Sequence, residues 1–162
     1  MAKSDKANEK TNVMRQLDQA GIAYTPRYYD ASLASGTEVA AALGQSAECV
    51  FKTLVAEANT GEHFVFVIPA PETLSLKKAA KAAGVKSIAM LPQKKLLPLT
   101  GYVHGGCSPV GMKKPFPTWI DETALLTDAF FCSAGRLGAQ IGIDPETLAG
   151  YIGAQFADLT EE

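Results

Sequence analysis

The chain has 162 residues, nearly half apolar and a fifth charged, enough for one domain to bury a core without disulfides or metal. A formal net charge of −2 excludes nucleic-acid binding held by bulk electrostatics, so any such contact needs a local patch or a partner. Three scattered cysteines (Cys49, Cys107, Cys132) in no Cys-x-x-Cys pattern, with only His63 and His104, exclude a disulfide framework and a metal cluster and indicate a reducing compartment, the cytoplasm.

Residues 1–10 are polar and lack the apolar core of a signal peptide; they read as a flexible arm ahead of a single domain over 11–162. No apolar run approaches the length of a membrane span. From Thr11 to Ala20, Val13, Met14, Leu17 and Ala20 fall at helical spacing and Gly21 is a stop. Ile22 to Tyr29 reads as extended, with Pro26 marking an edge strand. Its tyrosines, Tyr24, Tyr28 and Tyr29, suit half-buried rings with wet hydroxyls or the wall of a binding cleft.

Ser35-Gly36-Thr37 introduces a helix through Leu43, ended by Gly44. Cys49 to Ala56 and His63 to Ile68 are strands joined by the turn Asn59-Thr60-Gly61, a hairpin. Ser75 caps a helix through Ala83 with Leu76, Ala79, Ala80 and Ala83 facing in, Lys77, Lys78 and Lys81 facing out, and Gly84 as the stop. Val85 to Leu91 is extended, and Gln93 to Leu97 allows one helical turn. Beyond the glycine-rich stretch after it, Thr118 to Asp121, Ala129 to Ser133 and Gln140 to Ile143 read as strands. Asp144-Pro145 opens a last helix, with Leu148, Tyr151 and Ile152 on its inner face and Gly153 at its end. Ala154 to Leu159 adds an edge strand. Helices and strands interleave without a βαβ rhythm, which predicts a mixed α/β domain rather than a doubly wound sheet.

Two places invite chemistry. In Val50-Phe51-Lys52-Thr53-Leu54-Val55, strand alternation puts apolar residues on both faces, and a lysine there is unexpected. It is either an edge lysine that discourages aggregation or an ammonium directed into a cleft toward a phosphate or carbonyl oxygen. The stretch Thr100 to Gly111 contains four glycines and Pro109, so no helix or strand runs through it. Gly105-Gly106 can present backbone N–H groups to an anionic or carbonyl oxygen, or simply form a surface turn. The stretch lacks Gly-Lys-Ser/Thr, the Gly-x-Gly-x-x-Gly pattern and the Gly-x-Ser-x-Gly setting for Ser108. Cys107 suits a small apolar niche better than a nucleophile, for which no base is evident. Ser133-Ala134-Gly135-Arg136-Leu137-Gly138 reads as a hairpin turn whose serine can lie beside Lys52 across the sheet.

Phe51-Lys52-Thr53-Leu54-Val55, Leu76-Lys77-Lys78-Ala79-Ala80-Lys81, Thr100-Gly101-Tyr102-Val103 and Gly105-Gly106-Cys107-Ser108-Pro109-Val110-Gly111 occur in that order. Together they resemble the YbaK/EbsC family, relatives of the editing insertion domain of bacterial prolyl-tRNA synthetase, from about Val13 to Asp158. The resemblance implies a mixed, partly barrel-like β-sheet with surrounding helices and one cleft for the aminoacylated 3′ end of tRNA. The implied activity is trans-editing: hydrolysis of the ester of mischarged Cys-tRNA(Pro), without metal or cofactor, with prolyl-tRNA synthetase as partner. Ala-tRNA(Pro), or a non-catalytic role in binding tRNA ends or a synthetase, are the other readings. Matched residue by residue, Lys52 takes the place of the essential lysine and Gly105 that of the glycine whose backbone lines the ester. Tyr29 falls on the cleft tyrosine and Ser133 on the pocket serine; Gly106, Ser108 and Gln140 complete the substrate-binding set. Gln140 stands where Cys-specific members carry an aspartate, and Ser133-Ala134-Gly135-Arg136 departs from the family's Ser-Gly-Gly-Lys-Arg. In the Cys-specific relatives the substrate's own thiol is held to attack its carbonyl, which would remove the need for a protein base. Lys113, Lys114 and the lysines after Leu76 are solvated charge or contacts to the tRNA backbone.

Overall fold

The computed structural model describes residues 9–33 and 35–161. The arm expected over 1–10 lies outside them except for Glu9 and Lys10, and Lys10 is tied to Asp18 by a 2.6 Å ion pair. Eight strands form two open sheets: β1 (Thr25–Tyr28), β2 (Phe51–Ala58), β3 (His63–Pro69), β4 (Ile88–Met90), β5 (Thr118–Asp121), β6 (Phe130–Ser133), β7 (Ala139–Ile143) and β8 (Gln155–Ala157). Five helices accompany them among the described residues: α1 (Asn12–Gln19), α2 (Gly36–Leu43), α3 (Leu76–Ala83), α4 (Leu96–Thr100) and α5 (Pro145–Ile152). The class is the mixed α/β one expected.

Local chemistry sets the helix ends. Thr11, Ser35, Ser75 and Asp144 each accept the N–H three residues on, and Gly44, Gly84 and Gly153 close their helices in the left-handed conformation. Two inward assignments were wrong: Leu76 is 40% exposed and Tyr151 is 40% exposed. Both helices approach the core through small residues instead, Ala79 and Ala80 in α3 and Ala149 beside Leu148 in α5. The strand expected from Val85 is reduced to Ile88–Met90, and the turn near Gln93 is a 3₁₀ turn running into α4.

The larger sheet has order β4-β2-β3-β5-β8 and the smaller β1-β7-β6. β2 and β3 are the expected antiparallel hairpin, whereas β5 pairs in parallel with both β3 and β8. β1 is the edge its proline demands, Pro26 lying opposite Ile141. Along β3, Val65 and Val67 enter one core while Phe64, Phe66 and Ile68 enter another. That alternation explains an almost continuously apolar strand: the larger sheet is covered on both faces. The first core lies between the sheets and takes Val13, Met14 and Leu17 of α1; the second takes Leu74, Ala79, Ala80 and Leu159. Buried Asp121 fastens the C-terminal segment by accepting the Leu159 N–H at 3.0 Å.

Neither sheet closes into a barrel. They meet along a seam where one parallel bridge, Val50 to Phe131, joins the approach to β2 to β6. On the side of β2 away from β3, β4 covers only Ala56–Ala58. Between that ladder and the bridge, the seam opens into a cavity.

Candidate active site

The cavity at the seam has a volume of about 380 Å³. Five of the expected site residues line it: Tyr29, Lys52, Gly105, Ser133 and Gln140. Sheet geometry brings them together. Ser133 and Gln140 are directly opposed in the β6–β7 ladder, so their side chains share one face. Tyr29 follows β1 and donates its N–H to the Gly138 carbonyl at 3.0 Å, continuing the ladder toward the β6–β7 turn. Lys52 arrives from the other sheet, near the start of β2, and the loop after α4 delivers Gly105.

Lys52 is half-buried, and loss of hydration lowers its pKa below the ordinary lysine value, an effect opposed by the carboxylate of Glu72. Its ammonium makes no ion pair or hydrogen bond among the described residues. Of the two readings of this lysine, the cleft position is the one the chain adopts. Gly105 is exposed, has φ +85°, and donates its N–H to no acceptor among the described residues. A Cβ there would lie 2.9 Å from Leu137 Cδ2, so glycine lets the backbone approach the cavity unshielded.

Gly106 and Ser108 are not brought to the cavity wall. The Gly106 N–H donates to the Val103 carbonyl at 3.0 Å, and a Cβ on it would meet the Arg136 backbone at 3.1 Å. Its missing side chain serves close packing of the loop on the β6–β7 turn. Ser108 is fully buried and its Oγ accepts the Val110 N–H at 3.2 Å, a turn inside the loop. The glycine pair therefore offers one free amide to a ligand, not two.

Cys107 reaches the cavity from within the first core, 6% exposed. Burial pushes its thiol up to about 12, so thiolate is scarce at neutral pH. No bond joins it to His104 among the described residues. Cys107→Ala is expected to keep single-turnover ester hydrolysis within about threefold of wild type. A loss of two orders of magnitude in a folded variant would reinstate the cysteine as a nucleophile.

Two polar atoms at the site are buried without a partner among the described residues, Gln140 Oε1 and Thr53 Oγ1. Gln140 is 6% exposed and lines the cavity, so its Oε1 is placed to accept from a ligand donor. Thr53 escaped the sequence reading; the available signal was a hydroxyl on the core-facing side of an apolar strand. The start of α2 was read only as a cap, yet Ser35 and Gly36 also line the cavity. A Cβ on Gly36 would lie 2.2 Å from the Ala70 Cβ, so the absent side chain seats this helix against the end of β3.

The arrangement sets the Lys52 ammonium, the Gly105 amide, the His104 imidazole and buried polar groups around a small space with no lining carboxylate among the described residues. It can bind an anion or an oxyanion and hold an ester. It supplies no side-chain base paired to a nucleophile.

The family model of the aminoacyl-tRNA editing domain matches residues 30–151. A protein of Enterococcus faecalis described as a candidate Cys-tRNA(Pro)/Cys-tRNA(Cys) deacylase, EbsC, is 43% identical over 164 residues, covering 99% of this chain and 98% of its own length. Among solved structures, a candidate trans-editing enzyme for prolyl tRNA synthetase superimposes with TM-score 0.81 at 26% identity, covering 93% of this chain and 94% of that one. A hypothetical protein superimposes with TM-score 0.86 at 26% identity, over 93% of this chain and 100% of its own.

Proposed function

The chain belongs to the aminoacyl-tRNA editing domain family, and we propose that it is a trans-editing deacylase that releases cysteine from mischarged Cys-tRNA(Pro). The observation that carries this reading is the convergence of Lys52, from the larger sheet, and the Gly105 amide, from the loop after α4, on one cavity. An aminoacyl ester is already activated, so the protein need only hold it and stabilise the charge that develops on its carbonyl oxygen. In this scheme the Gly105 N–H donates to that oxygen. Lys52 holds the terminal nucleotide by its phosphate or ribose side, while Tyr29, Ser133 and Gln140 bound the amino-acid side.

His104 lines the same cavity but makes no bond to Cys107 or to any other nucleophile among the described residues, which favours attack by the substrate's own thiol. Its sulfur bonds to the carbonyl carbon, the C–O bond to the ribose breaks, and the ribose oxygen takes up the proton the thiol gave. Water then opens the cyclic thioester released. A single-turnover panel of Cys-, Ser-, Ala- and Pro-tRNA(Pro) tests both levels of the reading. Cys-tRNA(Pro) is expected to be cleaved at least about a hundredfold faster than Ser-tRNA(Pro), because a hydroxyl at neutral pH is the far weaker nucleophile. Equal rates for the two would remove the thiol step, preference for Ala-tRNA(Pro) would reassign the substrate, and inactivity on every ester would leave a binding module.

The acidic balance of the chain argues against tight, selective binding of tRNA(Pro) by this protein alone. We therefore assign tRNA selection to prolyl-tRNA synthetase as partner and the reaction to the cytoplasm; no described helix is long and apolar enough to cross a membrane. If the panel discriminates tRNA(Pro) from other cysteinylated tRNAs as sharply without the synthetase as with it, this partner is unnecessary.

A further inference from the structure

A second, larger cavity of about 670 Å³ lies on the far side of the β6–β7 turn, between that turn, the start of α1 and the glycine-rich loop. Its rim carries the cations Lys10, Arg15, Lys113 and Arg136 against the single carboxylate of Glu9. In a chain of net charge −2 this is a local concentration of positive charge. The side chains are disposed rather than scattered: Arg15 Nη1 donates to Asn12 Oδ1 at 3.1 Å, and the Arg136 guanidinium sits 5.9 Å from the centre of the Tyr28 ring. Lys113 crosses the loop toward the Pro98 carbonyl, a long contact at 3.5 Å. Lys10 holds Asp18 in an exposed ion pair, which an incoming phosphate can replace at little cost.

The two cavities share their walls. Ser133 at the end of β6 and Leu137 of the β6–β7 turn face the first cavity, whereas Gly135 and Arg136 of the turn face the second. The loop divides likewise: Gly105 looks into the first and Gly101 into the second. A strand whose last nucleotide sits beside Lys52 can therefore leave across Arg136 and run over the basic rim.

We propose that this groove binds the phosphodiester backbone of the tRNA acceptor strand, on the 5′ side of the terminal nucleotide. The inference rests on the deacylase reading for its direction but is tested apart from it. The variant is Arg15→Glu with Lys113→Glu, both exposed and outside the ester cavity. Equilibrium binding of uncharged tRNA to Lys52→Ala protein, with and without the two groove changes, requires no hydrolysis. Affinity is expected to fall tenfold or more and the slope of log K against log salt to shrink by about two.

In the Lys52-intact protein, the same pair of changes should slow Cys-tRNA(Pro) cleavage by raising KM. Cleavage of cysteinyl-adenosine, which has no upstream phosphate, should stay within about twofold. Unchanged tRNA affinity and salt slope would overturn the proposal, as would an equal loss on both esters, which would mean a damaged cavity. If tRNA binding is untouched while association with the synthetase is lost, the groove serves an acidic protein surface and the proposal is wrong. Should the wild type cleave neither ester, the deacylase reading fails while the binding experiment still decides the groove.

Discussion

Lys52→Ala lowers single-turnover deacylation by about a hundredfold or more and leaves the protein folded. The expectation follows from position: among the described residues this is the one lysine lining the cavity, and loss of orientation costs far more than loss of a surface charge. Lys52→Met separates charge from packing, since it keeps the aliphatic stem. It should be as inactive as the alanine variant and at least as stable at neutral pH. The sign comes from the lowered pKa. The unfolded chain holds this proton more tightly than the folded one, so the charged amine opposes folding below its folded pKa. That opposition fades as pH rises from the folded pKa toward the ordinary lysine value, and wild-type stability gains on the methionine variant there. Thermal melts across that window, alongside the single-turnover assay, check both halves. Alanine or methionine protein retaining activity within about threefold would remove Lys52 from the site.

Gly105→Ala should be the other severe change, by a different route. Its φ of +85° disfavours any side chain by about 1–2 kcal/mol, and the added Cβ meets Leu137 Cδ2 at 2.9 Å. Leu137 is exposed and flexible enough to move aside, so the protein folds, with stability reduced by about that backbone cost. The rate is expected to fall about 10²- to 10³-fold, the usual loss when one donor to a developing oxyanion is displaced. Adding Leu137→Ala relieves the contact but not the backbone angle, so the double variant should remain nearly as slow. Wild-type rates in Gly105→Ala, measured on Cys-tRNA(Pro) by single turnover, would show that this amide does not touch the reacting carbonyl.

What could be read ahead of the structure was local. Ser75 with Gly84, Ser35 with Gly44 and Asp144-Pro145 with Gly153 fix helix limits through bonds made within a few residues, and those limits were legible. The β2–β3 hairpin was legible for the same reason. The parallel pairing of β5 with β3 and β8 was not, because no nearby turn encodes it. Leu76 and Tyr151 misled because periodicity marks an apolar stripe without saying which of its members the neighbouring sheet leaves room for. At the cavity, family likeness indicated Lys52, Gly105, Ser133, Gln140 and Tyr29, but spacing could not distinguish Gly105, whose amide is open, from Gly106, whose amide is spent on Val103. Nor could it show that Ser108 turns inward to Val110.

The two unpartnered oxygens, on Gln140 and Thr53, have a consequence for selectivity. An amino acid that offers hydrogens at those places pairs atoms for which the described residues supply no donor. One of equal size but purely hydrocarbon leaves them unpaired once it excludes solvent, and rejection by mismatch can exceed anything that shape alone achieves.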